Sequence, residues 1–276
     1  MKCHKVFRKE IYIMKHLSKL NKLILISAVF ILVGCSQPSV RRFGQLSQIK
    51  PGQVEKYKNL HTGISPEVVE QLRKYHVQNY SIYTKELQPG QDPYLFSFFE
   101  YTGKDFDGDM AKMMEDPTMR KWQDSTGGQC LKDMSPDSKD IWRVDMEEVF
   151  FMDGDTQTKV DKSKVERYGW AIGLKPEMVE SYKLIHKYPW SPVLNALVDA
   201  KVRNYPIYLH YIDGKPFLFA YFEYVGDDFA ADMADCDGDP VSKAWMKFTD
   251  DACQVPIPTR AQGEWWAVME EVFHMD

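Results

Sequence analysis

The segment PYLFSFFEY at Pro93–Tyr101 returns as PFLFAYFEY at Pro216–Tyr224. Side chains along a strand alternate between two faces, and both segments place aromatic or aliphatic residues at odd and even positions alike. Neither face of such a strand can be left to water. Helices can cover one face, and a second copy of the same unit can cover the other.

The surrounding sequence repeats as well. RFG at Arg42–Gly44 matches RYG at Arg167–Gly169, YKNLH at Tyr57–His61 matches YKLIH at Tyr182–His186, and NYSIY at Asn79–Tyr83 matches NYPIY at Asn204–Tyr208. After a turn that differs by two residues, Trp122 matches Trp245 and MEEVFFMD at Met146–Asp153 matches MEEVFHMD at Met269–Asp276. This is duplication of a whole domain, with a period too long for a solenoid. A length of 276 residues suits two domains.

Each copy reads as strand (RRFGQLSQI), helix from Pro51, further helix from Pro66, a strand hairpin (NYSIYTKEL and YLFSFFEYT), helix (DFDGDMAKMM and TMRKWQD) and a closing strand (WRVDMEEVFFM). The order β-α-β-β-α-β is the ferredoxin-like plan. The expected fold is therefore α+β: two ferredoxin-like domains, residues 42–153 and 167–276, packed sheet to sheet as an internal pseudo-dimer and joined by a linker at 154–166.

Charge is unevenly distributed. Residues 1–34 hold seven Lys/Arg against Glu10, which leaves 28 basic and 39 acidic residues in 35–276, a net charge of about −11. An acidic body without basic clusters excludes phosphate-backbone recognition, so no nucleic-acid partner is expected. The basic stretch KHLSKLNK precedes an apolar run at Leu23–Val33 that is too short for a membrane span, which needs roughly 20 residues. LVGC at Leu32–Cys35 resembles the lipobox of bacterial lipoproteins. Residues 1–35 therefore read as a signal peptide, Cys35 as the lipidated residue and 36–41 as a tether, with Met1 or Met14 as the start. The expected location is the periplasmic or cell-surface side of a bacterial membrane.

Beyond the leader remain Cys130, Cys236 and Cys253, an odd set without Cys-x-x-Cys spacing that gives neither a disulfide framework nor a zinc site. DFDGDM and DCDGDP lack the spacing and closing glutamate of an EF-hand. More informative is the Tyr-x-x-x-His pair. Residues four apart share a helix face, so Tyr57 points with His61 and Tyr182 with His186. Each histidine lies just before helix-breaking proline or glycine. Tyr80, Tyr205, Trp122 and Trp245 complete a matched set suited to a sugar: aromatic faces stack on pyranose C–H faces, and hydroxyls and ring nitrogens bond the sugar hydroxyls. Tryptophans are also ordinary core residues, and a His with Tyr one turn before it is an ordinary packing pair. The residues alone leave both readings open.

YKLIHKYPWSPVL, NYPIYL, LFAYFEY, AWMKF and EEVFHMD, in this order and spacing, resemble the L-rhamnose mutarotase family. The resemblance covers nearly all of both copies. It implies a ferredoxin-like domain that pairs through its sheet as a dimeric α/β barrel, and interconversion of the α and β anomers of L-rhamnose or a related deoxysugar without a cofactor. By position, the proton-donor histidine of the family matches His61 and His186, and its sugar-contacting residues match Tyr57, Tyr80, Trp122, Tyr182, Tyr205 and Trp245. The family has two adjacent tryptophans where this chain has Lys121–Trp122 and Ala244–Trp245. Where the second copy has Trp190 and His274, the first has Ser65 and Phe151. The second copy is thus the better candidate for activity. The rival expectations are a secreted sugar-binding lipoprotein without turnover and a structural or partner-binding lipoprotein.

Overall fold

The computed structural model describes residues 40–135 and 139–276. The expected leader 1–35, with its lipobox and Cys35, lies outside the described residues.

In the first repeat β1 is Arg41–Gln48, α1 Val54–Thr62, α2 Pro66–Lys74, β2 Val77–Lys85, β3 Tyr94–Tyr101, α3 Phe106–Met113, α4 Pro117–Gln123, β4 Val144–Asp145 and β5 Glu147–Met152. The second repeat gives β6 Glu166–Leu174, α5 Val179–Lys187, α6 Ser191–Asp199, β7 Val202–Arg203, β8 Tyr205–Ile212, β9 Lys215–Tyr224, α7 Phe229–Gly238, α8 Pro240–Met246, β10 Gln254–Val255, β11 Ala267–Val268 and β12 Glu270–Met275. Caps repeat too: Asp116 and Asp239 each accept two backbone N–H bonds ahead of a proline at the helix start. Helix α1 starts at Val54 rather than Pro51, because Pro51 and Gly52 form a turn with Gly52 at φ +70°.

One sheet runs β12-β2-β3-β1-β4, and the other β10-β6-β9-β8-β5, with β7 also on β9 and β11 also on β6. The closing strands are thus exchanged. The stretch expected to be one strand breaks at Met146: Val144–Asp145 pair with β1 of their own repeat, while Glu147–Met152 pair with β8 of the other. β12 returns the exchange by pairing with β2. Both exchanged strands carry a bulge two residues in, and Met146 and Met269 each donate a backbone bond to Gly44 or Gly169 at the crossing.

The alternation anticipated in the hairpin strands is borne out. Leu95 and Phe99 of β3 face helices, whereas Phe96 and Phe98 face the other sheet. Phe96 and Phe98 meet Phe219 and Tyr221 at ring distances of 5.8 and 4.0 Å. This inter-sheet core is the covered second face. At its rim the asparagine of each NY motif crosses the pseudo-dyad: Asn79 Nδ2 donates to Glu223 Oε1 (2.9 Å) and Asn204 Nδ2 to Glu100 Oε1 (2.9 Å). Both asparagines have positive φ, 47° and 46°, a region Asn tolerates better than most residues. Cys130 and Cys253, at matching places in the two repeats, are fully buried free thiols.

Close approach of the sheets rests on two glycines. A Cβ on Gly44 would stand 2.5 Å from the Tyr208 ring, and one on Gly169 would meet the Tyr83 ring in the mirrored place. Both rings are fully buried and cannot swing away. Gly44→Ala and Gly169→Ala are each expected to cost about 1–3 kcal/mol by overpacking, read as a lower denaturation midpoint at unchanged m-value. Wild-type midpoints in both variants would show that the sheets do not pack this tightly.

Candidate functional site

Two cavities lie between helices and sheet, one per repeat, of about 490 Å³ in the first and about 470 Å³ in the second. His61 and His186 lie in the last turns of α1 and α5 and line these cavities. Each ring nitrogen Nδ1 donates to the carbonyl of the tyrosine one turn earlier, His61 to Tyr57 at 2.9 Å and His186 to Tyr182 at 3.0 Å. A carbonyl only accepts, so the proton sits on Nδ1 and Nε2 presents a lone pair. Among the described residues Nε2 has no protein partner in either ring, and it is not sealed off. Burial pushes both imidazoles down to about 4. At neutral pH each ring is therefore uncharged and ready to accept a proton.

The aromatic set gathers around these rings. Tyr182 stacks on His186 at 3.9 Å between centroids, and Tyr57 tilts on His61 at 4.2 Å. Trp122 and Trp245 present edges to the histidines at 5.1 and 5.6 Å. Tyr80 and Tyr205 lie on the sheet side of the cavities, at or beside the kink made by the left-handed asparagine. All the expected site residues of each repeat are thus brought together, with one difference. Tyr182 lines the second cavity, while Tyr57 is packed behind His61 and does not line the first.

Strand exchange adds what single-repeat reasoning could not find. Phe273 of the second repeat faces His61 at 5.8 Å, and Phe150 of the first faces His186 at 5.5 Å. Each site is completed by the other repeat. Further lining residues differ between copies: Arg143 in the first cavity stands where Trp266 stands in the second, and Asp237, Asp250 and Gln254 of the second replace Met114, Gly127 and Leu131. Aligning the copies position by position would have exposed these differences, whereas motif matching passes over them.

The family described as L-rhamnose mutarotase matches residues 42–152 and again 167–275. An L-rhamnose mutarotase of Mannheimia succiniciproducens is 30% identical over 114 residues, covering 41% of this chain and 98% of the relative. Among solved structures, a putative monooxygenase of Fusobacterium nucleatum is similar over 86% of this chain and 94% of its own, at 10% identity and a TM-score of 0.48. A putative monooxygenase of Lactobacillus acidophilus is similar over 85% and 95%, at 7% identity and 0.46. Similarity this loose bears on neither site nor activity. The two matches together span most of the sequence, and the relative is the length of one repeat, so this chain belongs to the L-rhamnose mutarotase family as two copies of its domain in tandem.

Proposed function

We propose that the protein interconverts the α and β anomers of L-rhamnose or a related deoxysugar, with the cavity histidine as the acid/base group. The observation that carries this reading is the fixed tautomer: Nδ1–H tied to a backbone carbonyl and Nε2 left to the cavity, twice in one chain. An uncharged imidazole takes the proton of the anomeric hydroxyl as the ring opens. The imidazolium so formed returns it to the carbonyl oxygen as the ring closes on the other face, which is the donor role expected from the family. Positioned acid–base groups contribute roughly 10²–10⁴-fold, enough for a reaction that proceeds slowly unaided. The aromatic edges fit the C–H faces of a pyranose, and apolar walls such as Met110 and Met113, or Leu194 and Met233, suit a C6 methyl.

The test is saturation transfer between the anomers of L-rhamnose by proton NMR, using residues 36–276. The expected result is exchange that the wild-type protein accelerates and that His61→Ala/His186→Ala loses. No acceleration of rhamnose or fucose exchange would sink the reading and favour sugar binding without turnover. For the first cavity alone, Arg143 and the lack of a carboxylate opposite Asp250 favour that second reading.

We also propose that Cys35 carries the lipid anchor, from the signal-like sequence before it. Cys35→Ser should then move the protein from the membrane to the soluble fraction, and an unchanged distribution would remove the anchor.

A further inference from the structure

A histidine fixed as a proton acceptor is half of the chemistry. Ring opening also needs a proton delivered to the ring oxygen as the C1–O5 bond breaks. The second cavity contains a candidate that the matched motifs do not mark. Asp250 lies in the turn Lys247–Asp251 after α8 and lines the cavity together with His186, Tyr182, Tyr205 and Trp245. One of its oxygens accepts from Thr249 Oγ1 at 2.9 Å, and no cation pairs with it among the described residues.

Around Asp250 the two repeats differ in a concerted way. The matching residue of the first repeat is Gly127, and a Cβ there would run into the ring of Trp142. The partner of Trp142 in the second repeat is Trp265, whose Nε1 donates to Gln254 Oε1 at 2.7 Å. Gln254 in turn replaces Leu131. An indole turned toward Gln254 leaves room for a carboxyl side chain; an indole laid over Gly127 does not. Trp266, where the first repeat has Arg143, also leaves the second cavity without that cation. Three positions have thus changed so that the second site holds an acid where the first, at Gly127, cannot.

Resting on the mutarotase reading above, we infer that Asp250 is the second catalytic group of the second cavity, the acid that protonates the ring oxygen opposite His186. In opening, the C1–O5 electron pair goes to O5, which takes the Asp250 proton, while the anomeric hydroxyl proton passes to His186 Nε2 and C1=O1 forms. Closure on the other face reverses both transfers: O5 attacks C1 and returns its proton to Asp250, and His186 gives its proton to O1. Nothing is consumed. Burial, reinforced by the nearby Asp237 of α7 and by Asp251 and opposed by the Thr249 hydroxyl, pushes the Asp250 carboxyl up to about 6. Near Asp250 stand Tyr182 of α5, Tyr205 of β8 and the thiol of Cys253, all shifted upward by burial and therefore neutral, and the cavity wall adds the Cys236 thiol, also raised by burial, and the carboxylate of Glu264.

The acid form exists below about pH 6 and the basic imidazole above about pH 4, so the second cavity has a bell-shaped profile with those limbs. The test is anomer exchange from pH 4 to 8 on the full chain carrying His61→Ala, with and without Asp250→Asn. The expected result is a fall of about 10²-fold in kcat with KM nearly unchanged, and loss of the limb near pH 6. Asp250→Glu should restore part of the rate with a displaced limb, which covers the case in which the amide disturbs the turn. Exchange that needs His186 but is indifferent to Asp250→Asn at every pH would overturn the acid assignment alone. Exchange that the wild-type chain shows and the His61→Ala parent lacks would overturn this inference alone, and a wild-type chain without exchange would overturn the mutarotase reading and this inference with it.

Discussion

The first repeat made alone, residues 40–153, is expected to form a two-fold dimer and not a folded monomer. Its β5 has no partner within its own repeat, since in the chain it pairs with β8. The position beside β2 is taken by β12 of the other repeat. A lone repeat would expose the backbone edge of β2, a free β5 and the apolar face of Leu46, Tyr83, Phe96 and Phe98, each of which favours association. Two copies can satisfy one another by the same exchange, with Met152 opposite Tyr80 as Met275 is now. The match is imperfect at one point. Leu46 of the first repeat corresponds to Ala171 of the second, and both lie in the inter-sheet core. A dimer of first repeats places two leucines where the chain has one leucine and one alanine, and a dimer of second repeats places two alanines. The first is overpacked and the second underpacked, each at a cost on the order of 1–3 kcal/mol. The isolated repeat should therefore sediment as a dimer whose melting temperature rises with concentration and stays below that of the whole chain. A monomer with native circular dichroism would contradict the exchange.

That large and small residues complement each other across the pseudo-dyad explains why much of the fold was legible in the sequence and part was not. Alternation in PYLFSFFEY is local, and it announced both buried faces; the pairing of Phe96 with Phe219 follows from it. The repeat of RFG, NY and FEY located strands, whereas the rim contact of Asn79 with Glu223 emerged only from the structure. Which sheet a closing strand joins is decided at Met146, where one backbone bond to Gly44 marks the crossing, and no local pattern distinguishes the two routes. The site shows the same division. Tyr-x-x-x-His gave the helix face and its partner ring. Phe150 and Phe273 were missed because they arrive from the other repeat, and Asp250 because matching copies rewards sameness and this residue marks a difference. Tyr57 and Tyr182 carry the same motif, yet Tyr182 alone lines its cavity.

His186→Ala is expected to remove most of the anomer exchange, about 10²–10³-fold in kcat, whereas His61→Ala removes only the share contributed by the first cavity. The two histidines are alike in tautomer, burial and depressed basicity, so the asymmetry must come from what faces them. His61 faces a cavity containing Arg143, whose positive charge further disfavours the imidazolium that must form when the ring accepts a proton. Among the described residues no such cation opposes His186; its cavity contains Asp237 and Asp250, whereas in the first cavity the exposed Asp140 shares the wall with Arg143. An imidazolium beside carboxylates is stabilised, and one beside a guanidinium is not. Arg143→Trp, which copies the second repeat, should accordingly raise the share of the first cavity without restoring an acid at Gly127. Measured on the three single variants, equal losses from His61→Ala and His186→Ala would show that neither Arg143 nor the acidic pair sets the rate, and that the shared histidine geometry is sufficient by itself.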